Sequence, residues 1–352
     1  MRRVLLILMV VVTAWAMARP AAAQQAFTVG PVTAPPGTTA AGTIEVAARA
    51  GDAGTTIPIT VINGASAGPV LALIAGTHGM EYVPIVALQR MRDTIDPKTL
   101  KGTIVMVHVA NMPSFLGRTI YYSPIDGKNL NRVYPGKADG TISERIADTI
   151  TREVIARATH VVDLHCGDGN ESLRPYSYWI TTGEPKVAQT GREMALAFGL
   201  DHIVVDKERP TDPAASVYTS NTAITRGKPA LTTETGGVAV VDEPSIALVQ
   251  RGVAGLMKQL GMRADGPAPV SKPVLLERAE VLRAGVTGVF YPDVERGRTV
   301  KKGVRVGRIT DFHGKTIEEV LAPFDGQILY VIATPPITKG EPVAMIAAAG
   351  AR

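Results

Sequence analysis

Hydrophobic and polar positions follow two different periods along the middle of the chain. Continuous apolar runs of strand length, PVLALIAG at 69–76 and GTIVMVHVAN at 102–111, predict strands that are buried on both faces of a sheet. The segments EYVPIVALQRMRD at 81–93 and TISERIADTITREVIARA at 141–158 have helical spacing. Strands that alternate with helices predict an α/β fold, in which a mixed, mostly parallel sheet is flanked by helices.

The two ends of the chain have different patterns. Residues 24–42 are rich in Ala, Gly, Pro and Thr and predict an N-terminal tether, so the α/β domain is expected over 43–262. Three prolines among small and charged residues indicate a linker at 263–274. Short Val and Ile runs separated by glycines then predict a small all-β domain, a barrel or a sandwich, over 275–352.

Residues 1–23 have the pattern of a secretory signal peptide. Two arginines at positions 2 and 3 precede an apolar run at 4–12, and an A-x-A type cleavage site follows at 21–23. The apolar run is too short to span a bilayer, so we expect no stable membrane insertion after cleavage. The mature protein is therefore expected to be exported across the inner membrane, to the periplasm.

Charge and cysteine content narrow the function further. The leader carries three arginines and no acidic residue, so its removal lowers the formal net charge from +5 to +2. A nearly neutral chain gives no reason to expect nucleic acid or an anionic membrane as a partner. Cys166 is the single cysteine, which excludes an internal disulfide.

Ionisable residues stand at the ends of three predicted strands. His78 and Glu81 follow the first run, and His165 ends the apolar stretch THVVDLHCGDG. Two histidines and a carboxylate are the ligand set of a catalytic zinc, although the same set also suits iron. Glu234, at the end of a third strand in TTETGG, can supply a general base. By itself the H-x-x-E pair is more typical of a capped turn. The second histidine and the glutamate, each at the end of another strand, favour a metal site.

The loop DGKNLNRVYPG at 126–136 carries Asn129, Asn131 and Arg132. An arginine fork matches a carboxylate in bidentate fashion, and asparagine adds directional donors. Taken alone, however, the loop is more typical of a turn in which the asparagines close Asx-turns without binding a ligand.

Four motifs, GTHGME, DGKNLNRVYPG, DLHCGD and TTETGG, occur in this order. Together they resemble the succinylglutamate desuccinylase/aspartoacylase family, which belongs to the wider zinc carboxypeptidase-like group. The resemblance covers roughly residues 65–262 and extends to the β-rich C-terminal domain that many members carry.

The resemblance implies a role for each matching residue. It implies that His78, Glu81 and His165 hold one Zn²⁺ per chain. Asn131 and Arg132 match the pair that holds the substrate carboxylate. Glu234 matches the glutamate that activates water and then protonates the leaving amine.

The chain also departs from the family pattern at two places. Asn129 stands where aspartoacylase-like members have an aspartate. Many members have an arginine shortly before the asparagine–arginine pair, where it polarises the scissile carbonyl. Arg118 is the nearest candidate for that substrate-binding role, while Tyr121 stands where the resemblance leads us to expect the arginine.

These observations predict a zinc-dependent amidohydrolase, a deacylase that cleaves the amide bond, or an ester bond, of a small N-acylated amino acid or similar carboxylate. One alternative is a periplasmic metallocarboxypeptidase that acts on short peptides or cell-wall fragments. Another is a zinc-containing binding protein without catalysis, although such a protein would not need Glu234. The sequence makes no prediction of the oligomeric state.

Overall fold

The computed structural model describes residues 24–350. The predicted signal peptide, residues 1–23, lies outside this part of the chain. Among the described residues, no helix combines the length and the apolar character that crossing a membrane requires.

Among the described residues, the first three quarters of the chain contain eleven strands, six α-helices and three single-turn 3-10 helices, of which one, Leu130–Arg132, carries Asn131 and Arg132. The strands are β1 (Phe27–Val29), β2 (Val32–Ala34), β3 (Thr38–Val46), β4 (Thr55–Asn63), β5 (Ser66–Ala75), β6 (Lys101–Val107), β7 (His160–His165), β8 (Glu171–Leu173), β9 (Tyr176–Ile180), β10 (His202–Asp206) and β11 (Ala230–Glu234). The helices are α1 (Tyr82–Arg92), α2 (Met112–Gly117), α3 (Ile142–Glu153), α4 (Pro185–Phe198), α5 (Thr219–Ile224) and α6 (Glu243–Gln259).

The last quarter is all β. Its strands are β12 (Val274–Arg283), β13 (Gly288–Pro292), β14 (Thr299–Val300), β15 (Arg305–Thr310), β16 (Thr316–Leu321), β17 (Gly326–Ile332), β18 (Pro336–Ile337) and β19 (Pro342–Ala349). Four of them form a separate antiparallel sheet in the order β16-β15-β13-β18.

One large mixed sheet organises the molecule. Its strand order is β3-β4-β6-β5-β7-β11-β9-β10-β12-β19-β17-β14, with β8 paired to β17. Neighbours are parallel from β6 through β5 and β7 to β11, and again from β9 through β10 to β12. The predicted mixed sheet with flanking helices, followed by additional β structure, is confirmed.

The apolar run of β5 is continuous because helices cover both faces of the sheet. Leu71 and Leu73 point into a core that contains α1, α4 and α6. The alternate residues Ala72 and Ile74 point into the opposite core, which contains α3 and α5. All four side chains are inaccessible to solvent. A strand with no polar face is therefore required at the centre of the sheet.

The expectation of a tether over residues 24–42 is wrong. This segment forms β1, β2 and the first part of β3, and its Val29 and Ala34 are fully buried against the main core. The Ala, Gly and Thr content concealed a short alternation of inward and outward residues, which is the pattern of a strand.

The central sheet runs without interruption into the C-terminal part. The predicted linker at 263–274 has no regular structure until Val274, where β12 begins and joins β10 in parallel. On its other side β12 pairs with β19, and β17 pairs with β8, with Ile332 opposite Glu171. The C-terminal strands are thereby fixed beside the segment that follows β7.

A buried ion pair ties α3 to the turn after β3. Arg145 lies 2.6 Å from Asp52, and only 6% and 9% of their side chains are exposed. Arg145→Ala leaves an unpaired buried carboxylate, so we expect a loss of about 3–5 kcal/mol in the free energy of unfolding at neutral pH, measured by chemical denaturation. Arg152→Ala, at a pair in which the arginine is 56% exposed, should cost less than about 1 kcal/mol. Equal losses in both variants would contradict the larger stabilising role given to the buried Arg145–Asp52 pair.

The same pair predicts a pH dependence. The hydrogen bond from Arg145 lowers the pKa of Asp52 below its ordinary 3.8. A depressed carboxyl pKa contributes stability that is present in full above the unfolded value and is lost as the pH falls through the folded value. The difference in unfolding free energy between wild type and Arg145→Ala should therefore shrink below about pH 4. A difference that stayed constant from pH 7 to pH 3 would contradict this.

Candidate active site

The ends of three adjacent parallel strands bring the predicted ligands together. His165 is the last residue of β7, and Glu234, the last residue of β11, lies directly opposite it in the ladder. The chain leaves β5 through Gly76, whose φ is +70° and whose Cα has no room for a side chain beside Val109. This turn places His78 over the end of β7, and Glu81 immediately precedes α1.

His78, Glu81 and His165 form one compact group in which the candidate ligand atoms all lie within 4.8 Å of one another. Nδ1 of His78 lies 2.7 Å from Oε1 of Glu81, and Nδ1 of His165 lies 2.9 Å from Oε2. All three residues are buried. The group can hold a metal ion.

The outer nitrogen of each imidazole faces an acceptor, and that of His165 also lies 3.2 Å from Nδ2 of Asn131. Nε2 of His78 lies 3.1 Å from Oδ1 of Asn129, and Nε2 of His165 lies 3.0 Å from Oδ1 of Asp163. An acceptor at Nε2 favours the tautomer that is protonated there, which leaves the Nδ1 lone pairs directed at Glu81. Oε2 of Glu81 is itself buried without a well-formed hydrogen bond. Three electron-pair donors that converge in this way fit a divalent cation.

The pKa values of the ligands respond to the same arrangement. Burial lowers the pKa of His78, but the carboxylate of Glu81 outweighs burial and the net pKa is raised. The pKa of His165 is raised well above its ordinary value, because Asp163 and Glu81 together outweigh burial. Burial raises the pKa of Glu81, but the two histidines bring it down to about 2. The local charges therefore favour positive charge at the centre of the group.

Glu234 lies beside this group and has a different environment. Burial raises the pKa of its carboxyl well above the ordinary value, with further increases from Glu81 and Glu171 and an opposing effect of His165. A carboxyl in such a position can accept a proton from water and return it to a leaving group.

A cavity of about 300 Å³ opens over the group. It is lined by residues of both parts of the chain: His78, Glu81, Tyr121, Tyr122, Asn129, Arg132, Glu171, Tyr176, Tyr178, Glu234, Val281, Arg283, Tyr330, Pro342 and Met345. The last five belong to the C-terminal strands, which therefore close the cavity on one side.

Asn131 and Arg132 are neighbours in the sequence, but their side chains differ in burial and in hydrogen-bond partners. Asn131 is buried; its Oδ1 accepts hydrogen bonds from the backbone and hydroxyl of Thr219, and its Nδ2 donates to Asp163. Its side chain is thus occupied in holding the site together. Arg132 is exposed at the cavity wall, where it donates to the Asn131 carbonyl at 2.7 Å and stacks on Tyr218 at 4.8 Å. The rest of its guanidinium is available to a carboxylate.

The structure does not support the interpretation of Arg118 as a substrate-binding residue. Arg118 ends α2 in a left-handed conformation, with φ at +50°, and its exposed side chain does not line the cavity. Tyr121 lines it instead. The ring of Tyr121 lies edge-on to His78 at 5.8 Å, and its hydroxyl donates to Oε1 of Glu171 at 2.7 Å.

Glu171 and the tyrosines of the cavity wall, such as Tyr176 and Tyr178, were not predicted from the sequence. Glu171 stands six residues after His165, in a strand of only three residues, and burial with nearby Glu81 raises its pKa to about 7. Tyr176 and Tyr178 alternate along β9, a pattern that is also typical of a strand in the core. The cavity becomes visible only when β17 and β19 are in place.

Comparison with known proteins agrees with this geometry. The sequence model of the succinylglutamate desuccinylase/aspartoacylase catalytic domain matches residues 67–260. The chain belongs to this family, as its four motifs predicted.

Individual relatives cover most of the chain. It is 29% identical over 299 residues to the N-alpha-acetyl-L-2,4-diaminobutyric acid deacetylase of Halomonas elongata, a match that covers 83% of this chain and 85% of the relative. The product-bound ectoine utilization protein EutE (DoeB) of Ruegeria pomeroyi superposes with a TM-score of 0.78 at 26% identity, covering 91% of this chain and 99% of that one. A succinylglutamate desuccinylase/aspartoacylase of Rhodobacter sphaeroides superposes with a TM-score of 0.76 at 25% identity, covering 89% and 96%.

The ligand group predicts uptake of one divalent cation per chain. Purified, chelator-treated wild type should regain one equivalent of zinc, measured by elemental analysis. His165→Ala should lose at least about tenfold to hundredfold in affinity, because it removes one of three ligands. His313→Ala removes an exposed histidine of the C-terminal part and should bind zinc as wild type does. No uptake by a folded wild type would contradict a metal site here.

Proposed function

We propose that this chain is a zinc-dependent amidohydrolase that removes the acyl group from a small N-acylated amino acid or a similar carboxylate. The observation that carries the proposal is that the ligand group of His78, Glu81 and His165 adjoins one cavity, which Glu234 and Arg132 also line. Family membership and the printed activity of the Halomonas relative, a deacetylase of an acetylated amino acid, support it. We further propose export to the periplasm, on the basis of residues 1–23.

Zinc is the proposed metal because the donor set is two imidazole nitrogens and one carboxylate. Iron also accepts this set, but amide hydrolysis requires no change of oxidation state, and zinc has none to offer. When bound, zinc supplies Lewis acidity toward a carbonyl oxygen and lowers the pKa of water. Asn129 and Asp163 would keep the two imidazoles oriented for it.

The side chains of the cavity bind the substrate and transfer the proton. Arg132 binds the substrate carboxylate and thereby positions the amide. Glu234 takes one proton from the attacking water as the oxygen adds to the acyl carbon. When the carbon–nitrogen bond breaks, Glu234 gives that proton to the nitrogen, so the products are a carboxylic acid and an amine.

The size of the cavity favours a small substrate over a peptide. Val281, Tyr330 and Met345 of the C-terminal strands line the cavity together with Arg132, and its volume is about 300 Å³, at the lower limit of small-molecule sites. A metallocarboxypeptidase would need an open path for the rest of its peptide. A zinc-binding protein without catalysis would not need a buried carboxyl at position 234.

Glu234→Gln should lower kcat by about 10²–10⁴-fold, because it removes the proton acceptor and leaves the three ligands intact. The measurement is turnover of an N-acetyl amino acid by protein whose zinc content has been determined. Zinc content should equal that of wild type. Near-normal turnover in a zinc-loaded Glu234→Gln protein would exclude the general-base role.

Arg132→Gln should lower kcat/KM for an N-acetyl amino acid by about tenfold to hundredfold, because it removes a charge-assisted hydrogen bond to the carboxylate. The matched substrate is the same compound with its carboxylate converted to a primary amide. Wild type should hydrolyse that amide poorly, and the substitution should change its rate little. An equal loss on both substrates would assign Arg132 to structure and not to recognition. Tripeptides should be poor substrates throughout, and a preference for them would favour the carboxypeptidase alternative.

A further inference from the structure

We propose that Glu171, held by Tyr121 in an aromatic wall, is a subsite for a positively charged group, so that the preferred substrate is an N-acylated amino acid with a cationic side chain. This inference rests on the proposed function and deepens it. It assigns a role to a carboxyl that neither binds the metal nor moves the proton.

Glu171 is held in a fixed position at the cavity wall. Its Oε1 accepts the hydroxyl of Tyr121 at 2.7 Å, and its Oε2 accepts the backbone N–H of Asp168 at 3.2 Å. Its backbone is fixed as well, because β8 pairs with β17 and sets it opposite Ile332. A carboxylate has about four acceptor positions, so two hydrogen bonds leave it able to accept from a ligand.

No cation of the described residues neutralises Glu171. The two guanidiniums of the cavity lining, Arg132 and Arg283, donate to the backbone carbonyls of Asn131 and Gly340. Neither guanidinium forms an ion pair with a carboxylate among the described side chains. A carboxyl at the wall of a ligand cavity with no positive partner favours a ligand that brings the positive charge.

The surrounding surface suits a cation and its hydrocarbon stem. Five tyrosines line the cavity: Tyr121, Tyr122, Tyr176, Tyr178 and Tyr330. The faces of aromatic rings attract ammonium groups, and their bodies pack against methylene groups. A carboxylate in the same subsite would instead meet the like charge of Glu171. The Glu171 subsite therefore disfavours side chains such as those of aspartate and glutamate.

The test uses three acetylated amino acids whose side chains share two methylene groups and differ in the terminal group. These are Nα-acetyl-L-2,4-diaminobutyrate, which carries an ammonium, Nα-acetyl-L-norvaline, which carries a methyl, and Nα-acetyl-L-glutamate, which carries a carboxylate. We expect kcat/KM of the zinc-loaded wild type to be at least about tenfold to hundredfold higher for the ammonium compound than for the methyl compound, and lowest for the carboxylate.

Glu171→Gln should remove most of that preference. It should lower kcat/KM for the ammonium compound by about tenfold to hundredfold, change the methyl compound by less than threefold, and raise the carboxylate compound. Tyr121→Phe, which removes the hydroxyl that holds Glu171, should reduce the same ratio by a smaller factor, and it serves as the second variant if Glu171→Gln does not fold. Glu243→Gln, which removes an exposed carboxylate paired with Arg90, is the matched control and should leave all three rates unchanged.

Equal losses on the ammonium and methyl compounds would overturn the subsite, as would a wild type that prefers the methyl or the carboxylate compound. If no compound is hydrolysed, the proposed function fails, and calorimetric binding of free L-2,4-diaminobutyrate and L-norvaline to the zinc-loaded protein decides the subsite separately. Tighter binding of the diamino acid that is lost in Glu171→Gln supports it. Equal binding of the two, or binding of neither, overturns it.

Discussion

The structure of the site depends on one electrostatic constraint, the meeting of Glu81 with two imidazole nitrogens in a buried place. Each imidazole is oriented from behind, His78 by Asn129 and His165 by Asp163, so that its Nδ1 points at the same carboxylate. Without positive charge between them, three buried electron-pair donors repel one another and lose solvation. The donors lie at the ends of strands whose positions are fixed by packing in the core. The favourable free energy of that packing offsets the cost of bringing the donors together. A cation turns the same geometry into an attraction.

The central sheet explains how distant segments come to share one cavity. Its parallel half delivers the ligands and Glu234 to a single edge, as open α/β sheets do at the carboxyl ends of their strands. Its other half continues through β12 into the C-terminal strands, which return over that edge as β17 and β19. The C-terminal part is therefore not an appendage. Tyr330 and Met345, on these two strands, form part of the cavity wall, so both parts of the chain contribute to the lining.

The features that the sequence predicts are those with a local signature. Buried parallel strands are visible as uninterrupted apolar runs, and His165 at the end of one such run indicated a site because strand ends meet in space. Glu171 had no such signature, since its place at the cavity depends on pairing with β17, far away in the chain. Arg118 stands in a left-handed turn with an exposed side chain outside the cavity lining, which its position in the sequence does not reveal. Residues 24–42 were misjudged because small residues can still alternate as a strand.

The charges around the cavity are unevenly distributed, and this asymmetry gives the site a direction. Arg132, Glu171 and Glu234 all line the cavity, together with His78 and Glu81 of the metal-ligand group. For the substrate proposed above, one orientation would pair its carboxylate with Arg132 and its cationic group with Glu171. Reversing it would place like charges together, at a cost that grows as water is excluded. Family membership supports cleavage of an amide bond, whereas the substrate preference proposed above depends on Glu171, Tyr121 and the C-terminal strands that line the cavity.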